Sequence, residues 1–249
     1  MNGLLVRVGA DLSSGGGSWN APVDGQTGKF VYVAIPETAP VYNGTEKPFS
    51  ALTPALSKFG VSLPAALLHR HMHLDPDFDH LTYGDQGERA KQLWVNLQCG
   101  DLVVFYAALA DIRAKKGLIY AIIGLFVVES VLLAAEVRPE DRDINAHSRR
   151  VLKPGAPDLI IRGQPGVSGR LVRSIPIGEY RDRAYRVRHD ILAAWGGLSV
   201  KNGYLQRSAR LPRFLYPSQF LRWFEMQRPS LMQSNNEDIP AWETFIFTS

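Results

Sequence analysis

Six histidines are spread over 249 residues, and four of them fall between His69 and His80, together with Asp75, Asp77 and Asp79. Histidine and aspartate at this density suit two chemistries: proton transfer near neutral pH, and coordination of zinc or a harder divalent cation. In an extended segment the alternation His69, His71, His73 puts three imidazoles on one face. In a helix they splay apart. The proton-transfer reading makes His73 a general acid or base oriented by Asp75 or Asp77. The plainer alternative is that Asp75 caps a turn opened by Pro76 and His73 hydrogen-bonds within the loop. No metal is favoured, and zinc on His69, His71 and His73 stands as the alternative.

Other polar groups suit ligand binding. Tyr83 offers a stacking face and Asp85 a base-edge acceptor, although the cap of a helix near residue 88 is the first role of Asp85. Asp11 and Asp24 flank a Gly/Ser-rich run that lets a ligand approach the backbone. That run lacks a Walker lysine and a G-x-G-x-x-G fingerprint, so dinucleotide redox chemistry is not indicated. Arg149, Arg150, Arg162, Arg170 and Arg173 suit phosphate positioning, with solvated surface charge as the alternative. His147 sits beside the first two. Ser168 lacks the strand-to-helix context of a hydrolase elbow. Cys99 reads as a small buried hydrophobe.

The elements that must carry these residues follow from pattern. Strands are expected at residues 3–8, 30–35, 102–107, 118–130, 158–161 and 169–172, with Lys115-Lys116-Gly117 as a hairpin tip. Helices are expected within 53–68, 141–150 and 185–195, and at 88–97 and 218–227, before an aromatic C-terminal segment. Phe105 and Tyr106 point to opposite faces of their strand.

Residues 94–129, with CGD, VVFYA and LIYAIIGLFVV, are similar to the core of PUA-like domains, the group that includes ASCH and EVE modules; the resemblance implies a cradled base and makes Tyr106 a candidate base-stacking residue, with a groove-lining Tyr106 and a core Phe105 as the alternative. The resemblance implies an α+β fold: a mostly antiparallel, PUA-like β-barrel or sheet with flanking helices, over about 1–135 of a single 1–249 domain. An Arg-rich extension fills about 136–249. A broader resemblance covers residues 3–180. RVGADLSSGGGSWNAPVDGQTGKFVYVAIPE, HMHLDPDFDHLTYGD, CGDLVVFYAAL, NAHSRR and LIIRGQPGVSGRLVRSIPIG occur in an order that resembles nucleotide modification associated domain 3. His73-Leu74-Asp75-Pro76 matches that family's motif, whereas Ser148 stands where the family usually has an aromatic residue. The family occurs beside DNA-base-modification systems of phages and bacteria. It therefore implies a nucleic-acid partner, DNA rather than RNA, along with other base-modification proteins and a place in phage defence. The target implied is a modified base of hypermodified-pyrimidine or 7-deazaguanine type, with hydrolysis or group transfer on its substituent. A non-catalytic reader of modified nucleic acid and a metal-dependent hydrolase or nuclease are the competing readings.

Composition agrees with a folded domain: 45% of residues are hydrophobic and 21% charged. The net charge of +4 conceals a basic third, in which residues 138–213 carry 14 Arg and 2 Lys against 7 acids. Such a stretch suits a polyanion. One cysteine permits no internal disulfide and fits a cytoplasmic setting. No membrane segment is expected, because the apolar stretch 118–135 is broken by Gly124, Glu129 and Ser130.

Overall fold

Val103, Val104, Phe105 and Tyr106 are β-branched or aromatic in succession and all are buried, as in a strand covered on both faces. In the computed structural model this strand is central. The model describes residues 1–114, 117–205 and 208–236 and the backbone of Phe245–Ile246. In chain order the strands are β1 (Gly3–Arg7), β2 (Pro22–Val23), β3 (Ile35–Pro36), β4 (Met72–His73), β5 (Thr82–Asp85), β6 (Leu102–Asp111), β7 (Leu118–Leu133), β8 (Leu159–Gly163), β9 (Gly169–Pro176), β10 (Gly178–Arg181), β11 (Ala184–Val187), β12 (Ser230–Met232) and β13 (Phe245–Ile246). The α-helices are α1 (Thr53–Ser57), α2 (Gly87–Asn96), α3 (Ala146–Arg149), α4 (His189–Ala194) and α5 (Pro217–Met226).

Among the described residues nine strands share one sheet, along β1-β6-β7-β9-β12-β13, with β2 on β6 and β8 joining β7 to β5. The sheet is mostly antiparallel, and β1 and β2 run parallel to β6. The class is thus α+β as expected, but the sheet is open and the anticipated barrel is not formed. Its reason is visible at β1, whose outer edge is covered by an irregular segment. Leu5 N–H donates to Pro212 O (2.8 Å) and Phe214 N–H to Gly3 O (3.0 Å), so no strand closes the circle. β8, β9 and β12, from the Arg-rich part of the chain, pair within this same sheet.

Alternation along β6 splits the core in two. Val103, Phe105, Ala107 and Leu109 join one apolar cluster, and Leu102, Val104, Tyr106 and Ala108 join the other. Gly124 on β7 faces Phe78 so closely that a Cβ would meet its ring and the Gly169 carbonyl. The ring of Phe78 packs edge-on against Tyr32, Phe105 and Phe126, which locks the 72–85 segment to the sheet.

Two expected elements differ. Phe30–Ala34 is buried but forms an isolated bridge rather than a ladder: Phe30 pairs with Val23, Val31 N–H donates to Pro22 O of the two-residue β2 (3.1 Å), and Val33 O accepts from Ala10 N–H (2.8 Å). The expected helix 185–195 is a strand followed by a short helix, because Asp182 and Arg183 both take positive φ (50° and 61°) and turn β10 back on β11. Lys115 and Lys116, expected at the hairpin tip, lie outside the described residues, as do most of the C-terminal aromatics. Among the described residues no helix is long and apolar enough to cross a membrane.

Candidate functional site

β3 and β4 pair with Ile35 opposite His73, which brings Glu37 beside the His73 ring. Glu37 Oε2 accepts from His73 Nδ1–H at 2.6 Å, and its other oxygen accepts from Arg150 Nη2 at 2.8 Å. Burial alone would raise the Glu37 carboxyl, but these donors hold it well below the usual carboxylate range. Burial pushes His73 down to about 4, against the pull of Glu37, so the ring is neutral at pH 7. The Glu37 bond then fixes the tautomer: Nδ1 carries the proton and Nε2 carries the lone pair.

His147 is placed the same way. Asn145 caps α3, its Oδ1 accepting from His147 N–H at 2.9 Å. His147 Nδ1–H donates to Asp158 Oδ2 at 2.6 Å. The rings of His73 and His147 meet edge to face with centroids 4.9 Å apart. Asp75 lies between these elements. Its Oδ1 accepts from Gly84 N–H (2.7 Å) and Asn145 Nδ2–H (3.0 Å), and its Oδ2 is 4.0 Å from His147 Nε2. Burial pushes the Asp75 carboxyl up to about 6, with His147 and its two donors offsetting only part of the effect. The Asp75-Pro76 bond is cis. Gly84 is required here, since a Cβ would collide with the His147 ring and the Asn145 amide oxygen.

His73, Asp75, Gly84 and His147 line a cavity of about 300 Å³ whose wall also includes Arg7, Tyr83, Asp85, Arg89 and Arg150. Tyr83 O–H donates to Asp85 Oδ2 at 2.5 Å and accepts from Arg89 Nη2 at 2.8 Å, while Arg89 also pairs with Asp85. The Tyr83 ring packs against Phe105, so it presents a polar edge more than a stacking face. Asp85 is committed to this triad, and Gln86 rather than Asp85 takes the cap position of α2.

The structure brings His73, Asp75, Tyr83, Asp85 and Arg150 together and disperses the remaining candidates. Asp77 is fully buried behind the site. Its carboxylate holds Arg149 Nη2 (2.5 Å), Asn235 Nδ2 (3.1 Å) and His80, so it braces the loop instead of assisting His73. Arg149 is 2% exposed and bonded to Asp77 and Asp143, which removes it from any phosphate surface. Arg170 is buried too, donating to Ser234 O and lying over the Phe30 ring. Arg162 is half-buried on β8, and Arg173 is exposed. Tyr106 packs in the second apolar cluster, not in this cavity, because β6 turns it to the face opposite Phe105. Asp11 accepts from Ser13 and pairs with Arg7 at 3.4 Å in an adjoining hollow. His69 and His71 are exposed and do not join His73. Cys99 is exposed on its turn rather than buried.

Sequence reasoning missed Glu37, Asp158, Asn145 and Arg89. In the sequence His147 stands with Arg149 and Arg150, far from the His73 it meets in the fold. The legible signal was the pairing of a histidine-containing motif with NAHSRR; the carboxylate behind each ring needed the fold. A family model described as nucleotide modification associated domain 3 matches residues 2–215. No curated protein and no solved structure matches.

Proposed function

This chain belongs to the nucleotide modification associated domain 3 family, and we propose that it acts on a modified base of DNA. The observation that carries this reading is the meeting of His73, Asp75 and His147 in one small polar cavity. At about 300 Å³ the cavity suits a base and its substituent rather than a whole nucleotide. A base inside a duplex must be flipped out to enter it. Asp85, Tyr83, Gln86 and Arg89 offer hydrogen-bonding groups to the base edge. At the reactive end, the Asp75 carboxyl gives or takes a proton near neutrality, beside imidazoles fixed by Glu37 and Asp158. Hydrolysis or group transfer on the substituent fits this set, in a hypermodified pyrimidine or a 7-deazaguanine. The phosphates of the strand follow basic side chains outside the cavity.

Nucleoside mass spectrometry of DNA from cells with and without the gene, in its native gene neighbourhood, tests the reading. A nucleoside whose mass changes on deletion, and on replacement by Asp75→Asn, supports it and identifies the reaction by the mass difference. An unchanged profile overturns catalysis. Retained binding to modified DNA would then make the chain a reader.

A further inference from the structure

We propose that His73, Asp75 and His147 bind a divalent transition-metal ion that faces the cavity. The proposal rests on the base-modification reading and names a cofactor for the same site, giving Asp75 the role of a ligand in place of proton carrier. One ligand atom from each of the three lies within 4.8 Å of the other two. Nδ1 of each ring is committed to a carboxylate, Glu37 for His73 and Asp158 for His147. Each ring is therefore left with Nε2 for coordination. A carboxylate behind a ligating histidine fixes its tautomer and strengthens it as a donor, and here both histidines have one.

The third donor is a carboxylate that is costly to bury ionised, and a dication beside it would offset that cost. Donors about 2.1 Å from an ion sit roughly 3.0–3.4 Å apart, so the set closes around an ion with side-chain shifts of about 1 Å. Two nitrogens and one oxygen leave coordination positions open, as in catalytic rather than structural sites. Those positions open onto the space assigned to the base substituent. His69 and His71 take no part, since both are exposed and separate from the cluster.

The full-length protein, stripped with a chelator and dialysed, is titrated with Zn²⁺, and in parallel with Mn²⁺ and Fe²⁺ under anaerobic conditions. Binding is read by calorimetry and elemental analysis, and the ligand set by Co²⁺ absorption. One ion per chain is expected. His147→Ala and Asp75→Asn should each weaken binding by at least about 100-fold. Asp158→Asn, which removes only the support behind His147, should weaken it by about 10–100-fold. His69→Ala and His71→Ala should change nothing, and urea midpoints confirm that each variant is folded. Sub-stoichiometric binding, or binding that survives His147→Ala and Asp75→Asn in folded protein, overturns the proposal. A chain that binds no ion yet alters a nucleoside in cells keeps its base-modification function and loses the metal. A chain that binds the ion but alters no nucleoside keeps the metal site and loses that function.

Discussion

Arg149 and Arg173 separate two uses of arginine that look alike in a basic sequence. Arg149 neutralises Asp77 in the interior, with both side chains at most 3% exposed. Removing the guanidinium leaves a buried carboxylate without its main partner, and breaking such a pair costs about 3–5 kcal/mol. Arg149→Met should therefore lower the unfolding free energy, read from urea denaturation, by that much, whereas Arg173→Ala should stay within about 0.5 kcal/mol of wild type. If Arg149 instead held phosphate, its loss would weaken DNA binding with little change in midpoint. Gly84 gives a second residue-scale test. Alanine there displaces the His147 ring or the strand, an overpacking that costs about 1–3 kcal/mol. Gly84→Ala should lower the unfolding free energy, read from urea denaturation, by that amount and abolish function while the chain still folds. His73 and Asp75 were legible because they share one short motif. Glu37 is 36 residues from His73 and Asp158 is 11 residues from His147, and no local pattern ties a carboxylate to a ring at those separations. Arg149 was misjudged because charge counts report composition, not which side chains turn inward.

At the scale of elements, the 72–85 segment is held from both sides, and pH should reach it through His80. The Asp77 hydrogen bond raises the His80 pKa, burial opposes it, and Arg149 and Asp143 are the other charges facing the ring. A raised pKa means that the protonated ring adds stability. That stability is complete below the unfolded value near 6.5 and is lost as pH rises through the higher folded value. The urea-midpoint gap between wild type and His80→Ala should therefore shrink as pH rises above about 6.5. With the side chain 38% exposed the effect stays below about 1 kcal/mol. A gap that is constant from pH 5 to 9 would remove His80 from this role. The elements that were readable, β6, β7, α2 and α5, carry their own pattern of unbroken β-branched or amphipathic residues. Phe30–Ala34 looks equally strand-like, yet its partners are the two-residue β2 and the backbone at Ala10. The 185–195 stretch looks helical, yet two positive-φ residues before it impose a hairpin. In both cases the deciding partner lies outside the window from which propensity is read.

At the scale of the molecule, the open sheet places two polar regions on one chain: the His/Asp cavity and a larger basic hollow. The hollow, about 910 Å³, is lined by Lys29, Lys58, Arg173 and Arg228, with Arg170 buried in its wall. A polyanion that presents a flipped base to the first region needs its phosphates held elsewhere, and this hollow has the matching charge. Counterion release makes that assignment measurable, because each phosphate neutralised on duplex DNA contributes about 0.9 to the slope of log K against log salt. Lys29→Gln with Arg228→Gln should reduce the slope by about 1.8, read by fluorescence anisotropy of labelled DNA between 50 and 200 mM salt. Arg138→Gln is the control. That arginine is equally basic and exposed, but Asp141 already holds its Nη2 at 2.7 Å on the same short turn, so the slope should not move. A double variant with the wild-type slope would take the phosphates away from this hollow. An equal loss per charge removed in the double variant and in Arg138→Gln would mean that only the overall basic field of the protein, not a defined track, draws the strand in.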